Sequence, residues 1–344
     1  SWSSLGEAPW PGRSGHTCVA LPGGGVLLAG GVDGNHQYLR DAWLYDEATR
    51  SWSALGDAPW QERYGHSCVA LPGVGALLAA GDGEGTRFRD AWLYNEAERS
   101  WSALGEAPWP ARSGHSCVAL PGGGVLLAGG VDGDYNWLRD AWLYDEATRS
   151  WSSLGEAPWP ARYVHSCVAL PGGALLAGGH DVNDDLQRDA WLYDEAARSW
   201  STLGEAPWLA RSGHSFVTLL GGDALLAGGQ DGDGHRLRDA WLYDEAARSW
   251  RALGEVPWPA RSGHRCVALP GGGALLVGGV GGDLKWLRDA WLYDEAARSW
   301  RALGEVPWPA RSGHRCVALP GGGALLVGGV GGDLKWLRDA WLYD

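Results

Sequence analysis

The sequence predicts an all-β fold, a seven-bladed β-propeller of four-stranded antiparallel blades. Three observations predict it. A pattern of 49 or 50 residues recurs seven times along the 344 residues, and a period of that size belongs to propellers and solenoids. Each copy holds four short apolar runs separated by turn residues, the content of one blade. The chain also opens with a run that its final copy lacks, so the two ends complement each other.

In the first copy, Ser1-Trp2-Ser3-Ser4-Leu5 alternates as a short strand. Gly6 to Ser14, with two prolines and two glycines, is a loop. Gly15 to Leu21 reads as a strand, Pro22 to Gly25 as a tight turn, and Val26 to Gly31 as the hairpin partner. Val32 to Leu39 is a polar loop, Arg40 to Asp46 a third strand, Glu47 to Arg50 a turn, and Ser51 to Leu55 the fourth strand. The repeats run 1–50, 51–99, 100–149, 150–198, 199–248, 249–298 and 299–344, and together form one domain. The last copy stops after its third strand. Residues 1–5 are therefore expected to complete the blade begun by 311–344, which closes the ring and removes two exposed strand edges.

Within this period a glycine pair (Gly30-Gly31), a tyrosine followed by Asp (Tyr45-Asp46) and Trp52, seven residues after the tyrosine, keep a fixed order. That order closely resembles the kelch repeat, and the resemblance covers the whole chain. It implies a propeller whose loops present a binding face. In kelch adaptor domains the residue directly after the loop arginine often contacts bound peptide. The matching positions are Ser14, Tyr64, Ser113, Tyr163, Ser212, Ser262 and Ser312. The surrounding loops match no particular adaptor, and no BTB-like or BACK-like segment occurs in these residues, so the resemblance implies a face rather than a named partner.

Each copy brings three framework tryptophans, such as Trp2, Trp10 and Trp43. Blades stack face to face, and a buried Trp removes ~150–250 Å² from water, on the order of 4–6 kcal/mol as an upper bound. Such burial offsets the absence of Ile and the abundance of Gly. Trp10 and its equivalents sit in loops, which leaves them secondary candidates for ligand contact.

The formal charge of −13 leaves no basic footprint for nucleic acid or an anionic membrane. No apolar run approaches the ~18 residues needed to span a bilayer. The chain opens at Ser1, inside a repeat and without an initiator Met, which reads as a boundary within a longer sequence and leaves the compartment unreadable. Residues 249–294 and 299–344 are identical, the mark of recent amplification of one repeat or of its engineered duplication.

Six cysteines, Cys18, Cys68, Cys117, Cys167, Cys266 and Cys316, share one position that holds Phe216 in the remaining copy. A site that accepts Phe suits a packed free thiol between blades, and one Cys per repeat without CxxC spells neither a disulfide framework nor zinc. Seven histidines recur as well: His16, His66, His115, His165, His214, His264 and His314. They lack local ligand spacing such as HxH or HExxH. A structural role is expected, with the ring hydrogen-bonded near the Arg13 and Asp41 positions.

Catalytic signatures are missing. There is no GxSxG, P-loop or sialidase-type Asp box, and the glycines of Gly23–Gly25 mark a turn with no following helix to bind phosphate. Copper-radical oxidases similar to galactose oxidase use a Tyr–Cys crosslink with ligands at non-repeated positions. Here the Cys and Tyr45-type residues belong to the regular framework. The expectation is a protein without enzymatic activity, cofactor or bound metal.

Comparison of the copies with one another concentrates the variation between the second and third strands: 32–39, 82–88, 131–138, 180–187, 230–237, 280–287 and 330–337. Twelve acidic residues and four basic ones give these loops −8 of the total −13. Tyr38, Phe88, Tyr135, Trp137, Trp286 and Trp336 interleave with Asp132, Asp134, Asp184 and Asp231, and aromatics on the loops of a rigid scaffold are a binding composition. The plainer reading keeps the acids as solvated turn residues and folds the aromatics back onto the blade edge. Asp231-Gly232-Asp233-Gly234 has the flavour of a calcium loop but neither its ligand spacing nor its terminal Glu.

These observations lead to a monomeric, non-enzymatic scaffold that binds a protein or peptide, cationic by charge complementarity, through the loops of one face. Two alternatives stand beside it: a glycan-binding propeller that uses the loop Trp and Tyr as stacking platforms, and an amplified or engineered propeller with no evolved ligand.

Overall fold

The computed structural model describes residues 1–304 and 306–344. Seven four-stranded antiparallel blades stand around a central channel. The innermost strands are Thr17–Ala20, Ser67–Leu71, Ser116–Ala119, Ser166–Leu170, Ser215–Thr218, Arg265–Ala268 and Arg315–Ala318. In the third blade the order outward is Ser116–Ala119, Val125–Ala128, Asp140–Asp145 and Ser150–Glu156. Cys117 pairs with Leu127, Leu127 with Trp142, and Trp142 with Ser153 beyond a bulge at Asp140. No helix among the described residues is long and apolar enough to cross a membrane.

The ring closes through its termini, as the sequence predicts. Trp2–Glu7 pairs antiparallel with Asp339–Tyr343, placing Trp2 opposite Tyr343 and Ser4 opposite Trp341. A second closure lies at the opposite end of the ring from the variable loops. The Glu47 carboxylate in the first blade accepts from Gly321 N–H in the last, just as Glu96 accepts from Gly23 and Glu195 from Gly122.

Burial follows the layering. The second strand of each blade is dry, Val26, Leu27, Leu28 and Ala29 being 0–1% exposed, because blades cover both of its faces. Between the seventh and first blades, Trp10, Val26, Leu28 and Tyr45 pack against Val317, Leu325, Val327 and Leu342. Trp10 meets Trp52 edge-on at 5.8 Å, a favourable aromatic geometry. All seven loop tryptophans of the Trp10 type are 0–1% exposed, so they are core and are removed from the candidates for ligand contact.

The glycine pair has a steric cause. Gly30 and Gly31 both have positive φ, 58° and 104°. A Cβ on Gly30 would stand 2.8 Å from Arg63 O and 2.9 Å from His66 Cε1 of the next blade. One on Gly31 would stand 2.7 Å from Ser14 O and 2.9 Å from His16 Cβ. The pair is where consecutive blades touch through backbone. In the second blade the first glycine is Ala80, held at φ 59°. His115, in the blade that abuts it, is the one recurrent imidazole that is not fully buried.

Two expectations on the strands change. In the first blade the strands run Gly25–Asp33 and Tyr38–Asp46, leaving a four-residue tip where an eight-residue loop is predicted. The reason is a turn: Asp33 N–H donates to Gln37 O, and His36 N–H donates back to Asp33 O. Conversely, His16 lies outside the innermost strand, which begins at Thr17.

Candidate functional site

Both loop families emerge at one end of the ring. Arg13 and Ser14 pair with Asp33 and Val32, Tyr64 bridges to Asp82, Tyr163 to His180, and Ser212 to Gln230. The positions after the loop arginine and the variable loops therefore share a face.

Under this face lies a repeated ion pair. Arg13 is wholly buried, and its two terminal nitrogens donate to Asp41 Oδ1 and Oδ2 at 2.7 and 2.6 Å. It also donates to Gly30 O at 2.9 Å. Its guanidinium lies 5.4 Å from the Trp10 ring centroid, and Trp43 Nε1 donates to Asp41 at 2.7 Å. Every blade repeats the pair, through Arg63–Asp90, Arg112–Asp140, Arg162–Asp189, Arg211–Asp239, Arg261–Asp289 and Arg311–Asp339. This corrects the expected role of the histidines. Arginine and aspartate satisfy each other, and the imidazoles pack against glycine backbone instead. Apart from His66 Nε2, 2.8 Å from Thr17 Oγ1, the recurrent ring nitrogens have no protein partner among the described residues. Burial first, and nearby arginine charge second, holds His66, His165, His264 and His314 well below the usual histidine range.

At the loop tips the first acid folds its own backbone in every loop but the second, where Asp82 accepts from the Arg87 side chain instead. Asp33 Oδ1 accepts from Asn35 and Gln37 N–H, Asp132 Oδ1 from Asp134 and Asn136, and Asp231 Oδ1 from Asp233 and His235. These are Asx turns. Burial works to raise the Asp132 carboxyl, yet the Asn136 side chain and the two backbone N–H groups hold it below the usual carboxylate range. Asp132 and Asp231 are thus held inward, whereas Asp134 and Asp184 are exposed. Asp184 sits 2.9 Å from His180 Nδ1. Asp231, Asp233 and His235 bring ligand atoms within 4.8 Å of one another, a trio in which Asp233 and His235 are exposed and the Asp231 carboxylate is already engaged by two amides.

Five of the six loop aromatics are half-buried against neighbours. Tyr38 stacks on Tyr64 at 5.2 Å, Trp137 meets Tyr163 edge-on at 5.6 Å, and Phe88 covers the Arg63 guanidinium at 4.2 Å. Trp286 lies beside Gly332 and Trp336 over Gly34, each leaning on the next loop of the ring. Tyr135 differs: it is 70% exposed at φ 63°, a conformation that costs a non-glycine residue strain. Of the positions after the loop arginine, Ser113, Ser212 and Ser262 are buried, Ser14 and Ser312 half-buried, and Tyr64 and Tyr163 half-buried against Gly15 and Gly114.

Tyr135 borders a depression of about 490 Å³ between the second and third blades, lined by Tyr64, Asp82, Thr86, Arg87 and Asp134. Arg87 is its floor. The residue donates to Asp82 at 2.9 Å, to Ser113 Oγ at 3.1 Å and to the Asp132 carbonyl, and its guanidinium lies 4.7 Å from the Tyr135 ring. Sequence reasoning counted Arg87 only as a charge. An arginine here and at Arg236, where four other loops carry Tyr or Trp and one Leu, was the available signal.

Charge is uneven on this face. Asp283 and Asp333 pair with Lys285 and Lys335 in their own loops, at 3.1 and 2.9 Å. Exposed Glu84, Asp134, Asp185 and Asp233 lack such partners among the described residues. The excess negative charge therefore gathers over the second to fifth blades.

The thiols occupy an unexpected position. They pack between blades, Cys117 and Cys167 for example each against an inter-blade core, yet they also line the central channel. All six are free, and only Cys266 is fully buried. Burial pushes Cys68, Cys167 and Cys316 up to about 12.

Seven blades of this register, with their loops meeting on one face, define a seven-bladed β-propeller. The family model of the KLHDC2/KLHL20/DRC7 Kelch-repeats domain matches residues 1–179 and 164–344, and the chain belongs to the kelch-repeat family. Among solved structures it is similar to YjhT, with a TM-score of 0.67 at 18% identity over 87% of this chain and 99% of that one. At that identity the likeness is one of fold. A comparison with curated proteins finds no match.

Proposed function

We propose that this kelch propeller is a non-enzymatic interaction scaffold that binds a cationic peptide segment of a partner protein on the loop face, over the second to fifth blades. The observation that carries the reading is Tyr135, the one of the six loop aromatics that projects into solvent, 70% exposed beside a groove. Interface anchors are enriched in such aromatics; the positive φ that Tyr135 shares with His36, Asp184, Leu284 and Leu334 belongs to the repeated turn. Glu84, Asp134, Asp185 and Asp233 supply the field that draws a basic chain to the groove, which raises association rate more than affinity. The ligand stacks an apolar or guanidinium group on Tyr135 and sets its positive charges against Asp134 and Glu84.

The test is a titration of labelled Lys/Arg-rich, neutral and acidic peptides of one length against the 344-residue chain. The reading expects saturable binding of the basic series alone, weakening as salt rises past ~0.15 M, where the Debye length is about 8 Å. A glycan array run beside it serves as the other arm. Glycan binding with no peptide binding would replace this reading, and silence in both arms would leave a propeller without an evolved ligand.

A further inference from the structure

Away from the loop face, the central channel has an asymmetric charge. The residue after each recurrent histidine lines it: Thr17, Ser67, Ser116, Ser166 and Ser215 in five blades, but Arg265 and Arg315 in the last two. In Ser116 and Ser215 the hydroxyl donates to the histidine carbonyl of the next blade, His165 O and His264 O, at 3.1 Å each. The arginines do the same with Nε, Arg265 to His314 O at 3.2 Å and Arg315 to His16 O at 2.7 Å. Serine thus suffices for the structural bond. What arginine adds is two terminal nitrogens per residue that have no hydrogen-bond or ion-pair partner among the described residues.

Two adjacent guanidiniums facing a lining of hydroxyls, imidazoles and thiols are an unbalanced arrangement. No carboxylate among the described residues lines the channel. The charge of Arg315, and then burial, pulls Arg265 down from the usual arginine range. Like charges in a confined, poorly solvated space repel, and a planar guanidinium fork matches an oxyanion through parallel N–H···O bonds. The cavity, about 430 Å³, has room for such an ion together with water.

From this geometry we propose that the channel is an anion site in which Arg265 and Arg315 together hold a free oxyanion of the phosphate or sulfate class. The site is independent of the loop face. The hydroxyls of Ser215 and Thr17 on the same wall are already engaged by His264 O and His66 Nε2, so the terminal guanidinium nitrogens are the donors to the ion. The ion neutralises the pair and ties the two neighbouring last blades to each other at the channel wall.

Calorimetric titration of the full chain with inorganic phosphate, and with chloride at matched ionic strength, tests it. Arg265→Ser/Arg315→Ser is the informative variant, because serine already occupies this position in four blades and keeps the carbonyl bond. Saturable phosphate binding at one site, weakened at least tenfold in the serine variant and less in Arg265→Lys/Arg315→Lys, is expected. Without phosphate the serine variant should melt higher than the parent, since the repulsion is gone, and saturating phosphate should narrow that gap. Phosphate heats no larger than those of chloride, or binding unchanged in the serine variant, would overturn the assignment.

Discussion

Arg112 grips Asp140 through two parallel hydrogen bonds of 2.7 and 2.6 Å, with its guanidinium wholly buried and the carboxylate one-fifth exposed. The bond joins the loop leading into the innermost strand to the start of the third strand, and so fixes the loop face to the blade beneath it. Asp140→Asn leaves a buried charge without its partner, and the expected cost is ~3–5 kcal/mol. Breaking the exposed pair Arg139–Glu156 by Glu156→Gln is expected to change stability by only ~0–1 kcal/mol. Denaturant midpoints of the two variants, compared with the parent, check the contrast.

The glycine pair gives a prediction of opposite signs. Gly30→Ala places a methyl against Arg63 O and His66 at positive φ and is expected to destabilise by ~2 kcal/mol or more. Ala80→Gly relieves a left-handed alanine and is expected to stabilise by up to ~1 kcal/mol, the unfolded-state entropy of glycine offsetting part of the gain. Thermal melts decide both. A destabilised Ala80→Gly would mean that the methyl contributes more by packing than it costs in backbone strain.

The seven recurrent histidines set a pH dependence. Their native-state pKa values lie well below 6.5, with His115 and His214 near 3, because burial disfavours the charged ring. Unfolded histidine titrates near ~6.5. The native state therefore stays neutral where the unfolded state binds protons, so stability is complete above that value and falls as pH drops from about 6.5 towards 3. Each imidazole contributes at most ~1.4 kcal/mol per pH unit. Urea midpoints at pH 7.5 and 5.5, both above the carboxylate range, should differ clearly, with the lower at 5.5. Equal midpoints would mean that the rings are solvated and titrate normally.

Ring closure is tested by truncation. Removing Ser1–Leu5 strips Trp341 and Tyr343 of their paired strand and should lower the melting temperature by many degrees or cause aggregation through the exposed edge. An unchanged melt would mean that the terminal strand adds nothing to the ring.

Most of the fold was legible in the sequence because it is written seven times. Repetition separates the residues that hold a blade from those that decorate it, and the complementary ends give the closure. The Arg13–Asp41 bond was harder to see, since its partners lie 28 residues apart and only the folded hairpin brings them together. The channel positions of the cysteines were missed for a different reason. A residue near the innermost edge both packs between blades and touches the channel, and a preference for Cys or Phe reports only the packing. The loop face was legible as a face, but not in its detail. An aromatic on a loop reads the same whether it leans on the neighbouring loop, as Trp286 and Trp336 do, or projects as Tyr135 does. Replacing Trp286 is therefore expected to cost stability, and Tyr135 takes over as the position that tests binding.

Selection of a random peptide display library on the 344-residue chain tests the binding face most directly, with each enriched peptide then titrated against the parent, Tyr135→Ala and a control on the opposite end of the ring, Glu98→Gln. The loop-face reading predicts enrichment of basic sequences, affinity reduced roughly tenfold or more by Tyr135→Ala, a loss of ~1.4 kcal/mol or more, at an unchanged melting temperature, and no effect of Glu98→Gln. Enriched peptides that carry no excess of Lys and Arg and bind Tyr135→Ala as tightly as the parent would contradict it.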